Sequence, residues 1–369
     1  MTEQRPEAKA RFHIVALAIW FAALGPLQAQ APDPEWHPES EYAGKFDWIQ
    51  MTSGEWVKGE IIAMYDESLE FDSDEFDDLT LDWDDIQQIH TSQVMSVGFE
   101  QGGSAVGLLI VDGDRITVVG EEETREFRRE DVLTITAGSP KAINFWSMKF
   151  FFGLVLRSGN SNIREMNNQG TIVRRTLKSR ITIDMIGNEN KTEGVETSDN
   201  QRATLGWDRY INRRFFLKPV FGEYFRDPFQ NVGSRVTIGV GAGYQIIDRS
   251  KVEWRVSGGP AYQETRFDSV DPGNPTKEST PALVVSNTAS WDITKWLELD
   301  GNYRFQVVNK ESGTYNHHLV ASFESDITKW IEFDVSWIWD RIEDPKPAAD
   351  GTVPEQDDFR TTVGLTFEF

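Results

Sequence analysis

From Trp146 to Phe369 apolar and polar residues alternate with a period of two, in segments of about ten residues bounded by turn residues. Successive side chains of a strand point to opposite faces, so such segments become strands with one greasy side and one wet side. The last segment is the plainest. Phe359, Thr361, Val363, Leu365, Phe367 and Phe369 share one face, while Arg360, Thr362, Gly364, Thr366 and Glu368 share the other. Arg235 to Ile246, Leu297 to Val307 and Trp330 to Asp340 repeat the pattern, with Ile338 as an exception in the last. Twelve such segments can be counted: 147–157, 163–174, 179–188, 200–210, 215–226, 234–246, 251–264, 281–291, 295–308, 314–325, 330–341 and 358–369. The second and fifth are poorly patterned, so the expected number is roughly ten to fourteen, with twelve as the central value.

The connections sort by length. Short turns at 175–178, 211–214, 247–250, 292–294 and 326–329 lie between longer connections, among them the loops expected at 189–199, 265–280 and 342–357. The sequence Asp-Ile-Thr-Lys-Trp occurs at 292–296 and again at 326–330, 34 residues apart, the length of one hairpin with its turn. A soluble β-sandwich has no reason to sort its loops, whereas a transmembrane barrel puts short turns at one end and long loops at the other. Closure is required, because an open strand edge in hydrocarbon leaves backbone N–H and C=O groups unpaired. Trp291, Trp296 and Trp330 near the turns, with Trp339 and Tyr315 near the loops, are placed as interfacial girdles would be. The expected fold class is all-β: a C-terminal antiparallel transmembrane barrel over 146–369, preceded by a small β-domain. A secreted soluble β-sandwich is the architectural alternative.

Charge and composition exclude other classes. Lys and Arg total 37 against 60 Asp and Glu, a formal net charge of −23, which argues against a nucleic-acid partner. Aromatic residues make up 12%, too many for a long disordered chain. Cysteine is absent, so there are no disulfides, thiolate metal sites or cysteine nucleophiles. Arg5, Lys9 and Arg11 precede the apolar run Phe12 to Leu24, then Pro26 and small residues follow. This is the order of a secretory signal. Cleavage is expected after Ala29, leaving a proline-rich spacer over 30–40 on a chain that leaves the cytoplasm.

The segment 41–138 carries a degenerate repeat. The first copy has Gly54-x4-Gly59-x-Ile61, Leu69-x-Phe71 and Asp85-Ile86-x2-Ile89. The second has Gly102-x4-Gly107-x-Leu109, Ile116-x-Val118 and Asp131-Val132-x2-Ile135. Short alternating strands with glycine turns predict two small β units of SH3-like kind. Between Asp66 and Asp85 stand eleven acids and no base. They lack the glycine and distal glutamate of a calcium loop and are read as a solvated face.

Candidate chemistry centres on the wet side of the barrel strands. The charged set expected to face the lumen is Arg202, Arg235, Glu253, Arg255, Glu298, Asp300, Arg304, Glu332, Asp334 and Arg360, together with Asp184, Asp208, Glu324, Asp340 and Glu368. Charges of both signs in a narrow barrel either pair into a filling network or line a small aqueous path. Glu298/Asp300 and Glu332/Asp334 follow the same turn motif, so they are expected to form an acidic belt near the short-turn end that favours cations. Adjacent His317 and His318 point to opposite faces and cannot bind one metal together. His317 faces outward beside Tyr315 and Leu319, with no serine that must neighbour it, as a lipid hydrolase would require. Gly239, Gly241 and Gly243 lie on an inward face where small residues permit bending or tight packing, and no helix follows as a nucleotide site needs. No metal, cofactor or catalytic residue is expected.

A resemblance rests on Gly159-Asn160-Ser161, on Tyr224-x-Arg226-Asp227-Pro228-Phe229 leading to Arg235, and on Gly239-Val240-Gly241-Ala242-Gly243-Tyr244. It continues in Gly258-Gly259-Pro260-x-Tyr262-x-Glu264 and the closing Gly364-Leu365-Thr366-Phe367-Glu368-Phe369. Through these the chain resembles the salt-induced outer-membrane protein family, domain of unknown function 481. The resemblance implies an outer-membrane barrel of a Gram-negative envelope and supplies no catalytic residues. The expected role is a narrow channel or structural barrel with a periplasmic domain. An envelope adhesion or assembly module and a barrel lipid hydrolase are the alternatives. The expected partners are outer-membrane lipid, the barrel-assembly machinery through the terminal strand (Phe359, Val363, Leu365, Phe367, Phe369), and a periplasmic component for 41–138.

Overall fold

The computed structural model describes residues 45–369 apart from 66, 74, 101–102, 139–145, 160–161, 250, 295, 329 and 369. The expected signal over 1–29, the spacer over 30–40, Gly102, Asn160, Ser161 and Phe369 lie outside the described residues.

Nine strands come first: β1 (Asp47–Met51), β2 (Trp56–Tyr65), β3 (Ser68–Ser73), β4 (Asp77–Asp82), β5 (Ile86–Phe99), β6 (Ser104–Asp112), β7 (Arg115–Val119), β8 (Thr124–Arg128) and β9 (Val132–Ala137). The two copies of the repeat run strand, strand, strand, one 3-10 turn, strand. The turns are Trp83–Asp85 and Arg129–Asp131. The copies do not make two separate cores. They share one sheet in the order β4-β3-β2-β1-β5-β6-β7-β8, and β9 pairs with both β2 and β5. β1 covers the first half of β5 and β9 the second, which curls the sheet on itself. Alternate residues of every long strand therefore meet inside. Ile49, Ile61, Leu69, Trp83, Ile89, Leu109, Val111, Ile116 and Ile135 are fully buried, each worth about 1.5–3 kcal/mol by transfer of its apolar surface. Asp47 is buried as well, and its carboxylate accepts from the N–H groups of Ile61 (2.8 Å) and Ser92 (2.7 Å) and from Gln93 (2.9 Å). It supplies the acceptors that a buried ladder edge would otherwise lack.

Twelve strands follow: β10 (Trp146–Arg157), β11 (Ile163–Thr176), β12 (Ser179–Thr192), β13 (Val195–Tyr210), β14 (Phe215–Asp227), β15 (Val232–Arg249), β16 (Val252–Phe267), β17 (Lys277–Thr294), β18 (Leu297–Val307), β19 (Tyr315–Thr328), β20 (Ile331–Ile342) and β21 (Asp357–Glu368). They form a closed barrel, each antiparallel to the next, with β21 returning to β10. Strands run longer than the alternation alone predicts, and one predicted loop is overturned. Residues 189–199 are strand apart from the two-residue turn Glu193–Gly194, whose φ values of 54° and 78° are the left-handed pair a tight hairpin needs. Charge had marked that stretch as a loop, but ladder pairing of Glu189 with Asp199 and Asn190 with Ser198 carries the hairpin on. Elsewhere the long connections are 268–276, 308–314 and 343–356, all at the end opposite the turns 177–178, 211–214, 250–251, 295–296 and 329–330.

The outward face is apolar. Val236, Ile238, Val240, Tyr244 and Ile246 of β15 are exposed, as are Phe359, Val363, Leu365 and Phe367 of β21. Trp291, Trp296 and Trp330 are exposed near the short turns, and Tyr315 near the long loops.

Candidate functional site

The inward residues meet across the barrel, and contacts between strands that are not ladder neighbours show it. Arg202 of β13 donates to Asp340 of β20 at 2.6 Å, and Gln306 of β18 donates to Glu223 of β14 at 3.2 Å. Glu223 is the centre. Its side chain is 0% exposed, and Arg202 (2.7 Å), Arg304 (3.5 Å) and Arg235 (3.9 Å) surround it from three other strands. His318 lies 2.9 Å from the Asp340 carboxylate, and Arg360 lies within electrostatic range of it. The Phe225 ring is held between the guanidinium groups of Arg202 (4.3 Å) and Arg235 (4.6 Å), and Arg304 lies over Phe221. Four arginines and two carboxylates thus draw on six strands in a layer toward the long-loop end, with aromatic rings beside the guanidinium groups.

A second layer lies nearer the short turns. Asp208 meets Arg180 (3.4 Å), Lys218 (2.7 Å) and Arg255 (3.8 Å), while Arg255 also donates to Gln245 (2.9 Å) and approaches Glu253 (3.8 Å). On the facing wall are the acids. Glu298, Asp300 and Glu324 each offer an oxygen within 4.8 Å of the others, the arrangement among the described residues that could gather round a cation. Lys149 bridges this group to the next strand, at 3.3 Å from Glu324 and 3.2 Å from Glu332. Asp334 accepts from Ser336. At the opposite end the long connections are tied together. The Asn231 side chain donates to the carbonyls of Lys346 and Pro347 and accepts from the Ser269 N–H.

The structure therefore gathers Arg202, Arg235, Arg304 and Arg360 in one network, Arg255 and Glu253 in a second, and Glu298, Asp300, Glu332 and Asp334 in a belt. The residues that sequence reasoning missed lie chiefly on β14. A bulge between Lys218 and Phe221, at Pro219 and Val220, shifts the strand's phase. Phe216 and Lys218 face in before it, and Phe221, Glu223 and Phe225 face in after it. With aromatic residues on the wet face, no alternation is visible. The one available signal was Glu223 and Asp227 falling on the same every-second-place series as Phe221 and Phe225. The inward glycines of β15 have a matching use: Gly243 and Gly239 are the ladder partners of Phe216 and Phe221 and leave room for their rings.

His317 is on the outer face. Its Nδ1 is 2.8 Å from the Tyr303 hydroxyl, and its ring lies beside Phe305 (4.9 Å) and Trp339 (5.5 Å). Its hydrogen bond goes to a phenol in an aromatic girdle rather than to a serine.

The family model described as protein of unknown function DUF481 matches residues 151–369, more than half of the chain. No curated protein matches the sequence. Solved structures similar to it include the translocator domain of the autotransporter NalP from Neisseria meningitidis, at 12% identity and TM-score 0.33, covering 61% of this chain and 87% of that one. The outer membrane channel DcaP of Acinetobacter baumannii is similar at 10% identity and TM-score 0.27, covering 88% and 93%. OmpT, an outer membrane protein of Vibrio cholerae, is similar at 10% identity and TM-score 0.29, covering 76% and 95%. None of these likenesses bears on function.

Proposed function

The chain belongs to DUF481, a family described only as of unknown function, and from its lumen we propose that it is an outer-membrane barrel closed on its long-loop side by its own charges. The observation that carries this reading is Glu223: a carboxylate wholly out of solvent, clasped by three arginines from other strands, in a layer that reaches Asp340 on the far wall. A water-filled pore at that height would hydrate those groups. Charges are taken from water only when close partners replace it, and here Arg202, Arg235 and Arg304 are those partners. The barrel's lipid contact is the apolar outer band, its terminal strand β21 is the surface offered to the assembly machinery, and its small sheet lies on the periplasmic side.

The test is planar-bilayer recording with refolded protein. The unaltered chain is expected to give no sustained open-pore conductance, and Glu223→Ala/Asp340→Ala is expected to raise the frequency of conducting events. A steady, large conductance from the unaltered chain would overturn the reading.

A narrower second reading is supported by the belt of Glu298, Asp300, Glu324, Glu332 and Asp334 around Lys149. Where current flows in the opened variant, the belt favours cations, and a reversal potential showing anion preference would contradict this.

A further inference from the structure

The acidic run between Asp66 and Asp85 finds its use at the barrel's short-turn end. Glu67 pairs with Arg213 at 2.9 Å, Glu70 with Arg175 at 3.9 Å, and Asp84 and Asp82 with Arg249 at 2.9 and 4.0 Å. Every acid comes from β2–β5 or their turns, and every arginine from the ends of barrel strands or the turn between them. Arg213 is the hub. Beyond Glu67 it donates from Nε to the Val132 carbonyl (3.2 Å) and from Nη2 to the Arg129 carbonyl (2.7 Å), and its own N–H points to Glu100 (3.4 Å). A carboxylate and two main-chain oxygens use the planar fork of a guanidinium as a lysine could not. Thr134 Oγ1 donates to the Leu177 carbonyl at 3.1 Å, and Gly98 passes so close that a Cβ there would stand 3.5 Å from the Leu177 Cβ.

We propose that the small sheet is a cap on the barrel: its acidic face is the docking surface, the arginine-bearing short turns are the seat, and the docked sheet screens the mouth beside the acidic belt. The placement of a polar cavity supports this. About 170 Å³ of space lies between Ser68 and Glu70 of the sheet and Glu253, Ser290, Asp292 and Glu298 of the barrel. Ser290 and Glu298 belong to the inner wall, so the cap stands over the entrance to the lumen on that side. The inference rests on the barrel reading but not on the closure at Glu223, because the cap lies on one side of that layer.

A chain without cysteine makes the test direct. A disulfide needs Cβ atoms about 3.5–4.5 Å apart. In full-length protein folded in detergent, Gly98→Cys/Leu177→Cys, with Thr134→Ala to clear the space, is expected to oxidise to an intramolecular disulfide. Failure of that pair to close in protein that shows the folded-barrel shift on an unheated gel would overturn the docking. Separately, Ser290→Cys is expected to react slowly with a charged methanethiosulfonate reagent. The added change Arg213→Glu is expected to speed that reaction roughly tenfold, the size of one lost charge-assisted bond. Arg213 lies in a turn outside the barrel wall, so the gel shift is expected to persist. An unchanged labelling rate would show that the sheet does not screen the mouth. Neither readout depends on conductance, so loss of the closure at Glu223 would leave both intact.

Discussion

Trp83 and Arg129 hold the same place in the two copies of the repeat, two residues before Asp85 and Asp131, and they stack on each other. The Arg129 guanidinium lies 4.2 Å from the Trp83 ring centre and donates to the Trp83 carbonyl. Burial pulls the guanidinium pKa below its ordinary value, with Asp84 opposing the shift. The carbonyl of the same Arg129 accepts from Arg213 of the barrel. A degenerate repeat has thus diverged at one position into a ring and its cation.

Arg129→Ala removes that stacking, worth about 0.5–2 kcal/mol, and the bond to the Trp83 carbonyl. The small sheet is expected to unfold at lower denaturant than in the unaltered chain, followed by tryptophan fluorescence, while the barrel transition stays put. Arg129→Lys keeps the charge and loses the plane, so it should fall between the two. A single transition that does not move with Arg129→Ala would show that the pair contributes nothing.

The inward rings of Phe216 and Phe221 lie where Gly243 and Gly239 leave room, so bulk on β15 has a predictable cost. Gly243→Val would overlap the Phe216 ring and destabilise the barrel by about 1–3 kcal/mol, as overpacking does. The temperature at which the compact gel band is lost should fall. Phe216→Ala in the same chain should restore most of the loss, because it vacates the contested space. An additive effect of the two changes would mean that the ring and the glycine do not meet.

The same pair of strands shows what was legible beforehand. Where one face meets lipid and the other a polar lumen, as in β21 and β15, period two is written plainly, and the inward positions Arg360 and Arg235 follow from it. Ile338 broke the pattern of β20 and is buried in the lumen, so the irregularity was real packing. On β14 both faces carry apolar residues and a bulge changes the phase, so Glu223 could not be picked out. The acidic run between Asp66 and Asp85 looked like a solvated face because its partners, Arg175, Arg213 and Arg249, are far away in sequence. Pairing at that separation leaves no periodic trace in a single chain.

Glu223 is the keystone of the layer it shares with Asp340, and its removal differs from the removal of any one arginine. Glu223→Ala leaves Arg202, Arg235 and Arg304 facing one another with Asp340 as the nearest carboxylate, and breaking a buried pair in this way costs about 3–5 kcal/mol. The compact band should be lost at a clearly lower temperature. Arg304→Met/Glu223→Gln removes one charge of each sign and should be milder than Glu223→Ala alone. If the double variant were the worse of the two, the network would not be balanced as the contacts indicate.

The sidedness of β21 gives a test that bears on the membrane itself. Val363 is 56% exposed on the outer face, while its neighbour Thr362 is buried in the lumen and accepts from Gln169 of β11. An arginine on the lipid face near mid-membrane costs about 2–4 kcal/mol. Val363→Arg should therefore reduce the yield of folded protein in lipid vesicles, read as the fraction running in the compact band. The same change costs little for a strand whose outer face meets water, because an exposed valine there is replaced by an exposed charge. Measuring Val363→Arg in vesicles and in a short-chain detergent separates the two: loss of folding in both to the same degree, or in neither, would show that this face does not lie against a bilayer.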